Sequence, residues 1–383
     1  MCQRALLLLC VVVAVQPAAD PPPRLGDAGF VPSRDQPVAW RGDGTGRFPG
    51  AAAPTAGAVT LWTAPMPGWA SGGCIVAGSK VITLANPHTV LCHDAASGKR
   101  LWFNRTDPFD QHSANPEEAA KRRALWGRVS QAYWIGRNAY RKLNLAALSP
   151  ERRDLKERLC AGLRRDHPEA FVEPKKPSTD PDAGLRQDLF VDIGVQSGGY
   201  SYSFGNAVCT PVCDGRLVWV AWGTSHVGCY QLADGRLVWM RFLGPARTSG
   251  GEAGLKICNW PGNLFVPNPL LVGGRLIIAH NYWLRALDPD TGKDLWSVDT
   301  AGPRRGNTFH VGSGTPVPLR VGDRLVLVTP FGWVVDAADG KVLSTALGEM
   351  DGNGASPVVD DAADAVYVNF HSNVGGASQP DAA

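Results

Sequence analysis

The feature that most constrains this chain is a turn-and-strand motif that recurs along it. The clearest copy, ALDPDTGKDLW, runs over residues 286–296. Weaker copies are CHDAASGKRLW at 92–102 and CYQLADGRLVW at 229–239, and a fourth at 334–344 has Ser344 in place of the tryptophan. A repeat of this kind indicates that one structural unit is built several times and stacked on its neighbours.

The repeats share more than this motif. Each of the later units begins with a proline that follows a small or polar residue, and two short apolar strands with their turns precede the motif. The tryptophan slots are 57 residues apart between Trp239 and Trp296, and 48 apart between Trp296 and Ser344. This period and content predict the four-stranded blades of a β-propeller and therefore an all-β fold. About five blades are visible, the last four opening at Pro211, Pro269, Pro316 and Pro357.

Composition agrees with many short strands joined by turns. The chain has 44 glycines and 30 prolines, which disfavour long helices, and 13 tryptophans. An indole offers a large apolar face and one N–H donor, which suits it to the interface between two blades. Within the motif we expect Asp288 and Thr291 to bond the turn backbone and Gly292 to take a positive φ. The indoles expected to dock between blades are those of Trp102, Trp239 and Trp296.

These residues carry a family resemblance. Residues 286–296 fit the form Ala-x-Asp-x-x-Thr-Gly-Lys-acid-x-Trp and resemble the tryptophan-docking motif of pyrroloquinoline-quinone (PQQ)-type propellers. Trp40-Arg41-Gly42 also resembles the opening of many secreted bacterial members of that family. The resemblance covers roughly residues 40–103 and 190–370 and implies a ring of about seven or eight blades. Five visible blades therefore predict either a chain that ends early or an open or partnered ring.

The N-terminus has the pattern of a secretory signal peptide. Arg4 precedes an apolar run over residues 5–15, and small residues with a proline follow. The run is short for a membrane span, so we expect cleavage near Ala18 or Ala19 and a periplasmic or secreted protein without a transmembrane segment. The expected divisions are a signal peptide at 1–19, an N-terminal extension at 20–58, the propeller start and first blade at 59–103, a basic helical insertion at 104–189, blades two to five at 190–370, and a tail at 371–383.

Seven of the nine cysteines lie beyond the expected cleavage site, and an odd number cannot all pair within the chain. Cys92 and Cys229 fill the motif slot that Ala286 fills in the clearest copy. This indicates small buried side chains rather than a disulfide framework. A disulfide between Cys209 and Cys213 would require the three residues between them to fold back.

The insertion at 104–189 interrupts the repeat after the first blade. Apolar residues at helical spacing predict helices between Pro116 and Ala170, and Ser149-Pro150-Glu151 predicts a helix start capped by Ser149. Positions 121–176 hold 15 Lys or Arg and 6 Asp or Glu, a net of +9 in a chain of net +3. Such a patch suits nucleic acid, anionic glycan or lipid, but acidic residues are interleaved and no nucleic-acid motif is present. We therefore interpret it as a solvated helical face.

Histidines and aromatic residues fall in the turns after the second strand of the blades. These turns and the links between blades share one face of a propeller, where ligands commonly bind. We predict a site for a planar, sugar-like or metal-bound ligand there, although polar turns and aromatic residues closing the blade edges would give the same pattern. No pair has close metal-ligand spacing, so no metal is predicted, and His112 is set aside as part of the insertion. The candidate residues are His88, His226, His280, Tyr282, Trp283, His310 and His371.

The resemblance leaves more than one function open. The preferred hypothesis is an exported, non-enzymatic binding or scaffolding module of the bacterial cell envelope, as the propellers of outer-membrane assembly factors are. It would bind a protein, small molecule or glycan on one face and no nucleic acid, and no cofactor is predicted. A hydrolase or lyase on the same scaffold is a further alternative, but the chain has neither a Gly-x-Ser-x-Gly elbow nor a phosphate-binding Gly-Lys-Ser/Thr loop.

The main alternative is a PQQ-dependent alcohol or sugar dehydrogenase. The resemblance implies that such an enzyme holds Ca²⁺ against the quinone through carboxylate and amide oxygens and uses an Asp as base. Glu252, Asn259 and Asn307 have suitable side chains but no matching context. Because a fold does not determine its chemistry, the catalytic residues stay unassigned.

Overall fold

The computed structural model describes residues 23–195, 207–244, 268–299, 314–345, 356–360 and 365–368, apart from 28, 52–56, 58, 69, 87, 136, 139–140, 143–147, 175, 187, 281–282 and 331. Most of the regular structure in these residues is β-strand, in four four-stranded antiparallel sheets and two two-stranded sheets. Each four-stranded sheet is a meander whose strands pair in sequence order. The all-β prediction with four-stranded blades is therefore confirmed.

The elements follow one another as sheet, helical insertion and four further sheets. The first sheet contains β1 (Ile75–Ala77), β2 (Lys80–Ala85), β3 (Thr89–Asp94) and β4 (Arg100–Arg105). The insertion contains α1 (Pro108–Gln111), α2 (Pro116–Trp134), β5 (Arg137–Asn138), β6 (Arg141–Lys142) and α3 (Pro150–Asp166). The second sheet contains β7 (Val212–Cys213), β8 (Leu217–Ala221), β9 (His226–Gln231) and β10 (Leu237–Phe242). The third contains β11 (Leu270–Val272), β12 (Arg275–His280), β13 (Trp283–Leu287) and β14 (Asp294–Asp299). The fourth contains β15 (Val317–Val321), β16 (Arg324–Val328), β17 (Val334–Asp336) and β18 (Val342–Ser344), and the fifth contains β19 (Val358–Asp360) and β20 (Ala365–Tyr367).

The strand register explains the small residue that opens each motif. In the first three sheets this residue lies on the third strand, is fully buried and pairs directly with the motif's tryptophan on the fourth strand. A larger side chain at this slot would compete with the indole beside it. The pairs are Cys92 with Trp102, Cys229 with Trp239, and Ala286 with Trp296.

The indole of each of these sheets also lies on the turn of the next sheet. A Cβ built on Gly292 would lie 2.8 Å from Cε3 of Trp239, whose Nε1 donates to the Pro289 carbonyl at 3.0 Å. Gly292 has a φ of 71°, and the Asp288 carboxylate accepts from the N–H and hydroxyl of Thr291 at 2.8 Å each. The turn thus forms as its sequence predicted. The same contact joins Trp102 to Gly235 and Trp296 to Gly340.

The indole of Trp62 makes the same contact with a glycine turn, although it lies on no strand of the sheets described. Trp62 lies against Gly98 of the first sheet, and its Nε1 donates to the Ala95 carbonyl at 2.9 Å. Residues 59–62 pair with no strand in the part of the chain that the structure describes, and Leu61 is 79% exposed. The segment therefore occupies the position of the outermost strand of a preceding blade.

Hydrogen bonds link neighbouring sheets through the residue that stands two positions before the first strand of each sheet. In the second to fifth sheets this residue precedes the blade's proline. The backbone N–H of Thr210 donates to Asn268 Oδ1 at 2.6 Å, and that of Asn268 donates to Thr315 Oγ1 at 3.1 Å. The N–H of Thr315 donates to Ser356 Oγ at 2.8 Å, and that of Gly73 donates to Thr210 Oγ1 at 3.1 Å. Equivalent positions in successive sheets, from the first to the fifth, are linked in this way.

The segment that precedes the first sheet covers one end of the second and third sheets. Val38 forms a two-way backbone bridge with Cys213. Arg34 binds the carboxylates of Asp214 and Asp290 at 3.0 and 3.1 Å. Asp214 lies in the turn between the first and second strands of its sheet, and Asp290 lies in the turn between the third and fourth strands of its sheet. Both turns are at the end opposite to the turn that joins the second and third strands.

The helices of the insertion pack in two hydrophobic clusters, one of which also includes Phe190, Ile193 and Val195 just after the insertion. These clusters are separate from the two that fill the spaces between the sheets. Ser149 caps α3 by accepting from the N–H of Arg152, and Pro150 is the first helical residue, as predicted. The helical prediction fails at residues 137–142, which contain the hairpin β5–β6. Gly136 and Asn138 are poor helix formers, so apolar residues at helical spacing were not sufficient to predict a helix there.

None of the six cysteines that the structure describes forms a disulfide, and five of them are buried. Cys209 and Cys213 are therefore not bonded to each other, and burial raises the pKa of the Cys92 thiol to about 11. None of the helices described combines the length and apolar character that a membrane span requires.

Candidate functional site

The sequence-predicted residues that the structure describes lie at one end of their sheets. His88 occupies the turn between β2 and β3, His226 begins β9, and Trp283 begins β13. His280 ends β12, and only its backbone is described. Trp283 is partly exposed, with the Arg285 guanidinium 5.7 Å from its ring centroid. The remaining three, Tyr282, His310 and His371, lie outside the described residues.

Two of the predicted histidines meet between the first and second sheets. His88 Nε2 lies 2.7 Å from Thr224 Oγ1, and His226 Nδ1 lies 3.1 Å from both the carbonyl and the hydroxyl oxygen of Thr224. His88 and Ser225 have positive φ values of 48° and 64°, conformations that persist in such residues only where surrounding contacts fix them. Both imidazoles are buried, at 3% and 1% exposure.

A third histidine, His112, reaches this pair from the insertion. It is the C-cap residue of α1, and its Nε2 lies 3.0 Å from Nε2 of His226. The ring centroids are 5.3 Å apart, so the two rings meet end to end. Asp107-Pro108 is a sequence signal for the start of α1, which keeps His112 close to the end of β4, but it does not indicate the contact with His226. We refer to His112, His226, Thr224 and His88 together as the histidine chain.

The hydrogen bonds fix the proton positions in this chain. A backbone carbonyl only accepts, so the Nδ1 of His226 carries the proton that is donated to the Thr224 carbonyl. Because burial keeps His226 neutral, its Nε2 is a lone-pair acceptor, and the Nε2 of His112 carries the proton between the two rings. Both rings are neutral in this arrangement.

Aromatic side chains surround the histidine chain and keep it neutral. Phe242 stacks on His226 at 4.8 Å between centroids and meets His112 edge-on at 5.3 Å, while the buried Trp222 lies 5.1 Å from His88. Such surroundings disfavour a charged ring. Burial lowers the pKa of His88 to about 4 and that of His226 to about 3, and it also lowers the pKa of His112.

An ion pair holds the helix that carries His112. Asp107 caps α1 by accepting from the N–H of Asp110 at 3.2 Å, and Arg123 of α2 donates to both Asp107 oxygens at 2.6 and 2.9 Å. Burial by itself would raise the pKa of the Asp107 carboxyl, but the bonds from Arg123 and Asp110 outweigh it and hold the pKa below its usual range. The carboxylate therefore stays charged, and the two helices of this part of the insertion stay joined.

The arrangement attaches the insertion to the second sheet through the contact of His112 with the buried imidazole ring of His226. In the part of the chain that the structure describes, no three His, Cys, Asp or Glu side chains form a group suited to a metal ion. The Nδ1 of His88 is buried without a hydrogen-bond partner. The residues considered for a quinone and Ca²⁺, namely Glu252, Asn259 and Asn307, lie outside the described residues.

Comparison with known proteins gives one family match. A family model described as outer membrane protein assembly factor BamB matches residues 186–377, about half of the chain. No curated protein matches the chain.

Several solved structures are similar at low identity. The quinohemoprotein alcohol dehydrogenase ADHIIG from Pseudomonas putida HK5 is 13% identical with a TM-score of 0.37, and the match covers 77% of this chain and 38% of that one. BamB from Moraxella catarrhalis is 12% identical with a TM-score of 0.29, covering 82% and 68%. A europium-containing methanol dehydrogenase is 15% identical with a TM-score of 0.33, covering 71% and 40%. The matched region thus spans less than half the length of either dehydrogenase.

Proposed function

Because this chain belongs to the PQQ-like repeat family of β-propellers, we propose that it is an exported, non-enzymatic binding or scaffolding module of the bacterial cell envelope. The observation that carries the proposal is the match of a BamB-type family model to residues 186–377. That model is named for an assembly factor, which favours a role in holding other molecules. The signal-peptide pattern over residues 1–19 supports a periplasmic or secreted location.

The contacts between sheets support a rigid scaffold. Indole-on-glycine contacts and bonds between pre-proline residues join the same positions in successive sheets, so each sheet is fixed on its neighbour. A rigid stack leaves its end turns to carry partners. In this proposal residues 104–189 are a unit added to the stack, and the tryptophan contacts are the docking contacts of the family.

We assign the partner surface to the turn between β12 and β13. At the first two sheets the equivalent end is covered by the insertion, which buries His88 and His226. In the third sheet Trp283 is partly exposed at that end, and exposed aromatic rings are frequent centres of protein interfaces. His280, Tyr282, His310 and His371 belong to the same proposed surface.

Site-specific photo-crosslinking in cells tests the binding role. A photoreactive residue at Trp283 should give discrete adducts with envelope components, because the proposed surface includes this turn. The matched control is Lys293, which is exposed at the opposite end of the same sheet. Adducts from position 283 and none from position 293 are expected, whereas equal or absent adducts at both would contradict the assigned surface.

Adding the cofactor to the purified full chain distinguishes the scaffold proposal from the dehydrogenase alternative. Titration with PQQ and Ca²⁺ is expected to give no bound-cofactor absorbance and no dye reduction with alcohols or aldoses. Saturable PQQ absorbance together with dye reduction would replace the scaffold proposal with the quinone-dependent enzyme.

A further inference from the structure

The insertion covers the end of the second sheet that carries the histidine chain. His112 bonds to His226, and Arg122 donates to the His112 carbonyl at 2.5 Å. A Cβ on Gly194 would lie 2.1 Å from the Thr224 carbonyl, so the chain that follows the insertion also passes close to this turn. Together these contacts close the site over His226, which is 1% exposed.

The closed contact has no place for a proton on both rings. The Nε2 of His226 accepts the proton of His112, and its Nδ1 proton is donated to the Thr224 carbonyl. If both rings were protonated, two N–H groups would face each other at 3.0 Å. A proton on either ring would also place a positive charge against Phe242. Among the residues that the structure describes, the charged groups around the histidine chain are Asp107, Asp110 and Asp192 on the acidic side, and Arg105, Arg122 and Arg123 on the basic side.

These groups do not offset such a charge. Arg123 already pairs with Asp107 and Asp110 at 2.6 Å. In the described part of the chain this leaves Asp192 as the acidic group facing His112, opposite Arg122. Proton binding and the closed position of the insertion therefore oppose each other.

We propose that the insertion is a cap on the second sheet that is released when His112 and His226 bind protons. In the closed form both rings are neutral and joined to each other. In the open form water reaches both rings, and each can carry a proton. Opening would expose His88, His226 and Trp222 at the end of the sheets where the sequence predicted ligand binding. This regulation by acidity does not depend on the proposed function.

The direction of the pH effect follows from the pKa values. Burial lowers the pKa of His226 to about 3 and lowers that of His112, whereas an exposed histidine has a pKa of about 6.5. The open form therefore binds more protons than the closed form between about pH 6.5 and pH 3. The closed form is fully favoured above about pH 6.5, and each ring raises the open-to-closed ratio by up to about tenfold per pH unit below it.

Pulse-labelling hydrogen exchange on the full chain tests the proposal. Amide exchange in α1 and α2, corrected for the intrinsic effect of pH, should be about 10- to 100-fold faster at about pH 5 than at about pH 7.5. Strands β11–β14 should show no such change and serve as the internal reference. An equal rise in helices and strands, or no rise in the helices, would overturn the cap.

Variants that cannot bind the proton sharpen this test. His112→Gln with His226→Gln should remove most of the pH dependence of exchange in α1 and α2, leaving the part that His88 contributes when opening exposes it. His167→Gln should keep it, because this histidine belongs to the insertion but contacts Glu169 rather than the second sheet. An undiminished pH dependence in the double variant would overturn the proposal.

A measurement on the unmodified protein covers the case in which the double variant stays open at every pH. Exchange of the imidazole C2 hydrogen, followed by mass spectrometry, reports the pKa of each histidine. Values for His112 and His226 below the ordinary histidine range are expected. Titration of both rings near pH 6.5 would show that they are not held in a closed contact.

Discussion

At the scale of single residues, the contact between Trp239 and Gly292 makes a specific prediction. Gly292→Ala adds a Cβ 2.8 Å from the indole at a φ of 71°, so a steric clash is combined with backbone strain. Gly274→Ala is the matched control, since its φ is 74° and no atom lies within 4 Å of the added Cβ. We expect the control to lose about 1–2 kcal/mol of unfolding free energy and Gly292→Ala to lose about 1–3 kcal/mol more. Urea unfolding followed by tryptophan fluorescence measures both, and equal losses would show that the indole contact contributes nothing.

The link between pre-proline residues gives a second prediction at this scale. Asn268→Ala removes the acceptor of the Thr210 N–H and the donor to Thr315 Oγ1, which are part-buried bonds of 2.6 and 2.8 Å. We expect a loss of about 1–3 kcal/mol, because the Thr210 N–H is left without a partner. Asn268→Thr supplies a hydroxyl as the equivalent positions do, and it should recover a large part of that loss in thermal or urea unfolding. If threonine is as destabilising as alanine, the link depends on more than an acceptor at this slot.

The turn residues could be predicted from the sequence because their interactions are local. Asp288, Thr291 and Gly292 act within five positions of one another, and each has a side chain or a conformation specific to such turns. The bond between His112 and His226 could not be predicted in this way, since 114 residues separate them. It depends on how the insertion packs on the second sheet, and no spacing in the sequence encodes that.

At the scale of elements, a buried ion pair joins α3 to the segment that follows it. Lys156 Nζ lies 3.0 Å from the Asp182 carboxylate, and both side chains are 4% exposed. Asp182→Leu leaves the ammonium group buried without its partner and should cost about 3–5 kcal/mol, whereas Lys156→Met combined with Asp182→Leu should recover most of this. Limited proteolysis between α2 and α3, with circular dichroism of the helices, measures the effect. A double variant as unstable as the single one would show that the pair is needed for packing and not only for charge balance.

The strands and helices differ in how far the sequence could specify them. The motif and its period indicated the strands of the first four sheets, because each strand has buried positions that the repeat reproduces. The start of α3 was equally clear, since Ser149 and Pro150 act within the first turn. The end of α2 was not, because the hairpin at residues 137–142 continues an apolar pattern that also fits a helix.

At the scale of the whole molecule, the sheets are covered unequally. Val76 in the first strand of the first sheet is 53% exposed, whereas the residue at the same register in the third sheet, Leu271, is 6% exposed. The first sheet therefore has one face that the rest of the described chain leaves open, next to the segment that carries Trp62. The sequence shows about five blades, but nothing in it indicated that a face of the first sheet would be open.

The open face of the first sheet predicts that substitutions at two equivalent positions change the free energy of unfolding by different amounts. Phe103 follows Trp102 and is 56% exposed, whereas Met240 follows Trp239 and packs against the cluster between the first and second sheets. Phe103→Ser should change the unfolding free energy by less than about 0.5 kcal/mol, because an exposed ring loses little contact. Met240→Ser should cost about 1–2 kcal/mol, because it removes a packed side chain. Urea unfolding of both variants, with sedimentation at several protein concentrations, makes the comparison. Equal costs would mean that the first sheet is covered in solution, and dependence of the Phe103 effect on concentration would identify a second copy of the chain as the cover.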